Sequence, residues 1–109
     1  MNYVNLENAR ALKELGFDVP CVIGYTESGK ETIDTAFNKN IYSSEISAPD
    51  FLTAADWLKE KHDIYIWFSS VVTIVTKPDE RWFSEPDHRN KAITYAIEQI
   101  KSREDETTN

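Results

Sequence analysis

The sequence predicts an α+β domain in the order helix, hairpin, helix, hairpin, helix, with about four mainly antiparallel strands in one sheet and helices on one face. Three observations predict it: apolar residues recur at helical spacing in three segments, two pairs of β-rich runs lie between those segments, and a short polar link joins each pair. A chain of 109 residues, 40% of them hydrophobic, supplies one modest core. The expected organisation is a single domain over 1–103 followed by an acidic disordered tail, 104–109, that opens with Glu104-Asp105-Glu106.

The first helix is read from Asn5 to Leu15, with Asn5 as cap, Leu6, Ala9, Leu12 and Leu15 as stripe, and Gly16 at the C-terminal left-handed position. Val19, Cys21, Ile23 and Tyr25 alternate with Pro20, Val22 and Gly24, and Thr32 to Phe37 forms a second β-rich run; Glu27-Ser28-Gly29-Lys30 turns between them. Asn38-Lys39-Asn40 breaks the pattern, and Ile41 to Ile46 reads as a loop or a short extended piece. Ser47-Ala48-Pro49-Asp50 then announces a helix, with Ser47 as cap and Asp50 returning the capping bond. Its apolar side is Phe51, Leu52, Ala54, Ala55, Trp57 and Leu58, and it ends near His62. Ile64 to Phe68 and Val71 to Thr76 are the strongest strand signals, linked by Ser69-Ser70 and closed by Lys77-Pro78-Asp79-Glu80. Ser84-Glu85-Pro86-Asp87 repeats the helix announcement, and Ala92, Ile93, Ala96, Ile97 and Ile100 supply the stripe of the last helix. Leu12-Lys13-Glu14 recurs as Leu58-Lys59-Glu60, 46 positions on, at equivalent places in the first two helix-hairpin units.

Charge narrows the function classes. With 19 acids against 12 bases the chain carries a formal charge of −7, so its field repels phosphates and direct nucleic-acid binding is not expected. The acids are spread among lysines and arginines, which also argues against a dense imitation of DNA. The single cysteine, Cys21, has no intrachain partner and sits in an apolar run, as a small buried side chain in a reducing compartment would. No stretch approaches the ~20 apolar residues that cross a bilayer. The expected setting is soluble and cytoplasmic, with no membrane contact.

The one string with the look of catalytic machinery is Gly24-Tyr25-Thr26-Glu27-Ser28-Gly29-Lys30-Glu31, the phosphate-binding loop pattern except in its last place. That chemistry needs a Ser or Thr after the lysine to hold magnesium and a helix opening at the loop. Glu31 stands at the magnesium position, and the residues after it alternate like a strand, so a hairpin turn is the better reading. His62-Asp63 and Asp87-His88 each pair an imidazole with a carboxylate, but neither shows a zinc ligand spacing. His62 suits the last turn of a helix and His88 a first-turn surface place. Ser69-Ser70 and Cys21 lack a nucleophile motif. No catalytic, cofactor-binding or metal-binding residue is expected, and no cofactor.

The aromatic residues are the stronger lead. Alternation places Ile64, Ile66 and Phe68 on one sheet face, the better partner for the helices, and Tyr65 and Trp67 on the other, with Trp82 or Phe83 folding over them. The candidate protein-binding face is therefore Tyr65, Trp67, Trp82 and Phe83, since large amphipathic rings are enriched at interfaces. The competing reading is that the loop from Lys77 to Ser84 simply covers the rings. The expected function is a non-enzymatic module that binds a protein partner or a second copy of itself. The alternatives are a regulator or inhibitor of a host nucleic-acid-binding protein and a small nucleotide-binding enzyme using the Gly24 to Lys30 turn.

Leu12-Lys13-Glu14-Leu15-Gly16-Phe17-Asp18-Val19-Pro20-Cys21, Ser47-Ala48-Pro49 and Trp57-Leu58-Lys59-Glu60-Lys61-His62-Asp63-Ile64 together resemble a group of small proteins of tailed phages and prophages of gut bacteria. The resemblance covers about residues 5 to 102 and ends in a helix like Lys91 to Glu98. Members of the group carry more tyrosine and acid where this chain has Arg81-Trp82-Phe83-Ser84-Glu85-Pro86. The resemblance implies a mobile-element origin and work in a bacterial host cytoplasm; it implies no activity, ligand or site residue.

Overall fold

The computed structural model describes residues 2–76 and 80–107, the side chains of 34–37, 41–42 and 104–107 apart. The chain is α+β with antiparallel pairing throughout, but the four-stranded sheet expected from the sequence is two three-stranded sheets, and two short elements interrupt the expected order. In sequence these are α1 (Leu6–Glu14), β1 (Cys21–Tyr25), β2 (Glu31–Phe37), α2 (Lys39–Tyr42), β3 (Ile46–Ser47), α3 (Phe51–His62), β4 (Ile66–Phe68), β5 (Thr73–Val75), β6 (Arg81–Phe83) and α4 (His88–Thr107). Packing divides the chain into two compact units, residues 1–54 and 55–109.

In the first unit α1 begins and ends as its residues dictate. The Asn5 side chain accepts from the Asn8 amide at 2.9 Å. At the other end Gly16 takes φ +92, the Gly16 amide donates to Lys13 O, and the Phe17 amide donates to Leu12 O. This is a Schellman cap, and its two apolar members, Leu12 and Phe17, are both fully buried. β1 pairs with β2 and β3 in the order β2-β1-β3, with a register shift between Cys21 and Ile23. The N-terminal residues add an edge: Tyr3 bridges Asp50, the Val4 amide donates to Pro49 O, and the buried Tyr25 hydroxyl donates to Val4 O at 2.9 Å.

The break at Asn38-Lys39-Asn40 is a structured connection. Asn40 donates through Nδ2 to Phe17 O at 2.9 Å and accepts the Ser47 amide on Oδ1 at 2.9 Å, so one side chain holds two distant strands of backbone. That bond, and pairing with Gly24, place Ser47 in β3 rather than at a helix cap. Here the expected helix start is corrected. Asp50 immediately precedes α3 and its carbonyl accepts from the Ala54 amide. The same shift recurs before α4, where Asp87, at φ 64, accepts from Lys91 on its carbonyl and from Asn90 Nδ2 on its carboxylate. The physical reason is the proline: the residue before it avoids helical ψ, so neither Ala48 nor Glu85 can open a helix.

In the second unit β5 lies between β4 and β6, and α4 packs against β5 and β6. The whole predicted stripe of α4 is buried, Ala92, Ile93, Ala96, Ile97 and Ile100. α3 turns out of its helix at left-handed Asp63 (φ 55), and the Arg103 guanidinium donates to His62 O at 2.9 Å. Leu52, expected on the apolar side, is exposed, because the buried row of α3 runs Phe51, Ala54, Ala55, Leu58. Residues 77–79 of the expected hairpin closure lie outside the described residues; beyond them Arg81–Phe83 is a strand instead of the covering loop. α4 extends to Thr107, past the point where the sequence reading begins a tail.

Candidate aromatic contact face

The phosphate-loop string is the β1-β2 hairpin. The Thr26 amide donates to Lys30 O at 2.8 Å, the Gly29 amide donates to Thr26 O at 2.9 Å, and Gly29 holds φ +92. Tyr25 pairs with Glu31, so the segment after Lys30 is antiparallel strand and not the helix that the phosphate-loop pattern requires. Gly24 has a local reason to be glycine, since a Cβ there would lie 2.7 Å from Lys39 Cδ and 3.0 Å from Ile46 O.

Cys21 is buried and its thiol donates to Val19 O at 3.4 Å. Burial pushes the thiol up to about 11, with the neighbouring Asp50 carboxylate adding to the rise while Ser47 and Lys39 oppose it. Two results are expected. Thiol alkylation of the folded chain at pH 8 is much slower than in denaturant. Stability also falls as pH rises from about 9 towards 11, because the unfolded thiol releases its proton first and the folded one retains it. Labelling of the native chain at the denatured rate would show that the cysteine is open.

Among the described residues no group of three or more His, Cys, Asp or Glu side chains could hold a metal ion. His62 ends α3 with its ring 5.1 Å from Trp57, and His88 Nδ1 lies 2.7 Å from the buried Thr73 hydroxyl. No helix among the described residues is long and apolar enough to cross a membrane.

The second sheet brings the aromatic residues together. Its register sets Trp67 opposite Ile74 and Ile74 opposite Trp82, one straight row across all three strands. Side chains in such a row share a face. The adjoining row on the other face holds buried Val75, and further along buried Thr73, which is the side α4 covers. The Trp67-Ile74-Trp82 face is open, with Trp67 69% and Trp82 63% exposed. Period-two alternation adds Tyr65 and Thr76 at one end and Ser69 and Val72 at the other, and Thr76 donates to Tyr65 O through its amide at 2.9 Å and its hydroxyl at 3.2 Å. The half-buried Tyr65 ring lies 5.5 Å beneath the Lys59 ammonium. Comparison of this chain with protein-family models, with curated proteins and with solved structures finds no match.

Of the four residues expected on this face, Tyr65, Trp67 and Trp82 share it, whereas Phe83 points the other way. Its ring stands 5.7 Å from that of Tyr95 on α4, and the Arg81 guanidinium lies over both rings at 5.3 and 5.1 Å. Arg81 and Tyr95 line a cleft of about 330 Å³ together with Lys91, Glu85 and Glu98. Lys91 pairs with Glu85 there and holds that carboxyl below its ordinary range, first through the hydrogen bond and then through charge. Ile74, the floor of the aromatic row, was missed by sequence reasoning. Its signal was the period of two within Val71 to Thr76, which sets Ile74 apart from the inward Thr73 and Val75.

Proposed function

We propose that this chain is a non-enzymatic protein-binding module whose contact face is the row Trp67, Ile74, Trp82 with Tyr65 at its border. The observation that carries the reading is the pair of largely exposed indoles aligned on one face of β4-β5-β6. Each leaves most of a large apolar surface in water, at a cost of roughly 25 cal/mol per Å². A lone exposed ring is ordinary, but two flanking an isoleucine form a patch with an apolar centre and a polar border, the anatomy of a contact surface. Origin in a phage or prophage and work in a bacterial cytoplasm belong to the same reading and rest on the sequence resemblance alone.

Binding selections on the folded chain test it, with a chain carrying Trp67→Ala and Trp82→Ala as the counter-selection. Both substitutions are expected to leave the melting temperature within a few degrees, since both side chains are largely exposed. Ligands retained by the native chain and lost by the double variant are the expected result. Ligands indifferent to both substitutions would sink the contact face.

A further inference from the structure

We infer that the occupant of this face is an extended, proline-containing peptide segment of neutral or basic charge, seated between Trp67 and Trp82 on Ile74. The inference rests on the protein-contact reading of that face and adds the chemistry of what it takes.

Area argues first. Two indoles about two-thirds exposed present roughly 300 Å² between them. A stable dimer or a folded partner needs about 800 Å² from each side. The indoles alone fall well short of either and match the narrow footprint of an extended peptide.

Width agrees with area. Trp67 and Trp82 stand on strands two places apart, so their backbones are separated by about 9.6 Å. Indoles standing on those strands leave a slot about one side chain wide, with a β-branched aliphatic floor. So small a contact supports binding only if the occupant loses little freedom on docking. A polyproline II segment meets that condition, because it is extended before it binds, and its rings stack on aromatic faces.

Charge sets the remaining limit. The row itself is uncharged, and at its border the Lys59 ammonium stands over the Tyr65 ring. With a net charge of −7, the whole chain repels acidic segments and attracts lysine- or arginine-flanked ones.

Isothermal titration calorimetry of the full chain decides the matter. The probes are a twelve-residue peptide of repeated Pro-x-x-Pro with a lysine at each end, its Pro→Gly version, and a version ending in glutamates. Saturable binding below about 1 mM is expected for the first. The glycine version should be roughly tenfold weaker or worse, as should the native peptide on Trp67→Ala or Trp82→Ala chains that retain the native melt. Val71→Ala, an exposed change in the β4-β5 turn, should leave binding unchanged. The proposal is overturned by absence of saturable binding, by equal binding of the glycine version, by tighter binding of the glutamate version, or by indifference to both tryptophans. The peptide comparisons need no change to the protein, so a variant that unfolds does not remove the test. If the selections described above return ligands that need both tryptophans but lack proline, the contact face stands and the proline inference alone fails. Concentration-dependent dimers abolished by Trp67→Ala would likewise assign the face to a second copy.

Discussion

Phe17→Ala is expected to lower stability by about 4 kcal/mol, within the range for emptying a buried phenylalanine site. Phe17 is 1% exposed and closes the Schellman cap of α1 against Leu12, itself fully buried. Truncation leaves a cavity and removes the apolar contact that fixes the exit of the chain from the helix. The hydrogen bond from Asn40 goes to the Phe17 carbonyl and survives the substitution, so the loss isolates packing from polar bonding. Against a total of 5–15 kcal/mol, a deficit of that size drops the melting temperature by at least about 15 °C. Calorimetry or circular dichroism on the purified variant checks it. A change of under about 1 kcal/mol would mean that Phe17 packs far more loosely in solution.

The second large effect is electrostatic. Lys39 is fully buried, its ammonium 3.7 Å from the Glu45 carboxylate, while its stem lies over Gly24. Glu45→Gln should cost about 2 kcal/mol, because the buried cation loses its neighbouring charge; the partial exposure of Glu45 keeps the figure below that of a fully buried pair. Lys39→Met should cost less, since the thioether fills the stem volume and brings no charge to solvate. The ordering of the two midpoints in urea denaturation is the check. If Glu45→Gln matches the native chain, or Lys39→Met is the more damaging, packing of the lysine stem governs the site rather than its charge.

Much of the second unit was legible because its signals are local and periodic. The stripe of α4 needs only a period of 3.6, and the opposition of Ile64 to Trp67 across the sheet needs only a period of two. The end of α3 at His62 and the glycine stop of α1 were equally plain. What the sequence hid depends on contacts distant along the chain. β3 is two residues long and exists through pairing with β1, and Asn40 reaches both Phe17 and Ser47, connections no local pattern encodes. β6 has three residues, too few for alternation to register, so Arg81–Phe83 read as loop and Phe83 was assigned to the wrong face. The division into two three-stranded sheets has the same origin: hairpins are local, while their association into one sheet or two is not. Ser-x-Pro-Asp misled by three residues at both helices, since serine and aspartate both cap and only the restriction before proline chooses between them.

The three tryptophans lie in two different media. Trp57 is buried within α3, whereas Trp67 and Trp82 stand in water on the sheet. The chain therefore carries two optical reporters of separate events. The emission of Trp57 follows the integrity of the fold, and the red-shifted, quencher-accessible emission of the other two follows whatever settles on the face between them. Occupancy and unfolding can be watched in one cuvette without a label, each from its own indoles.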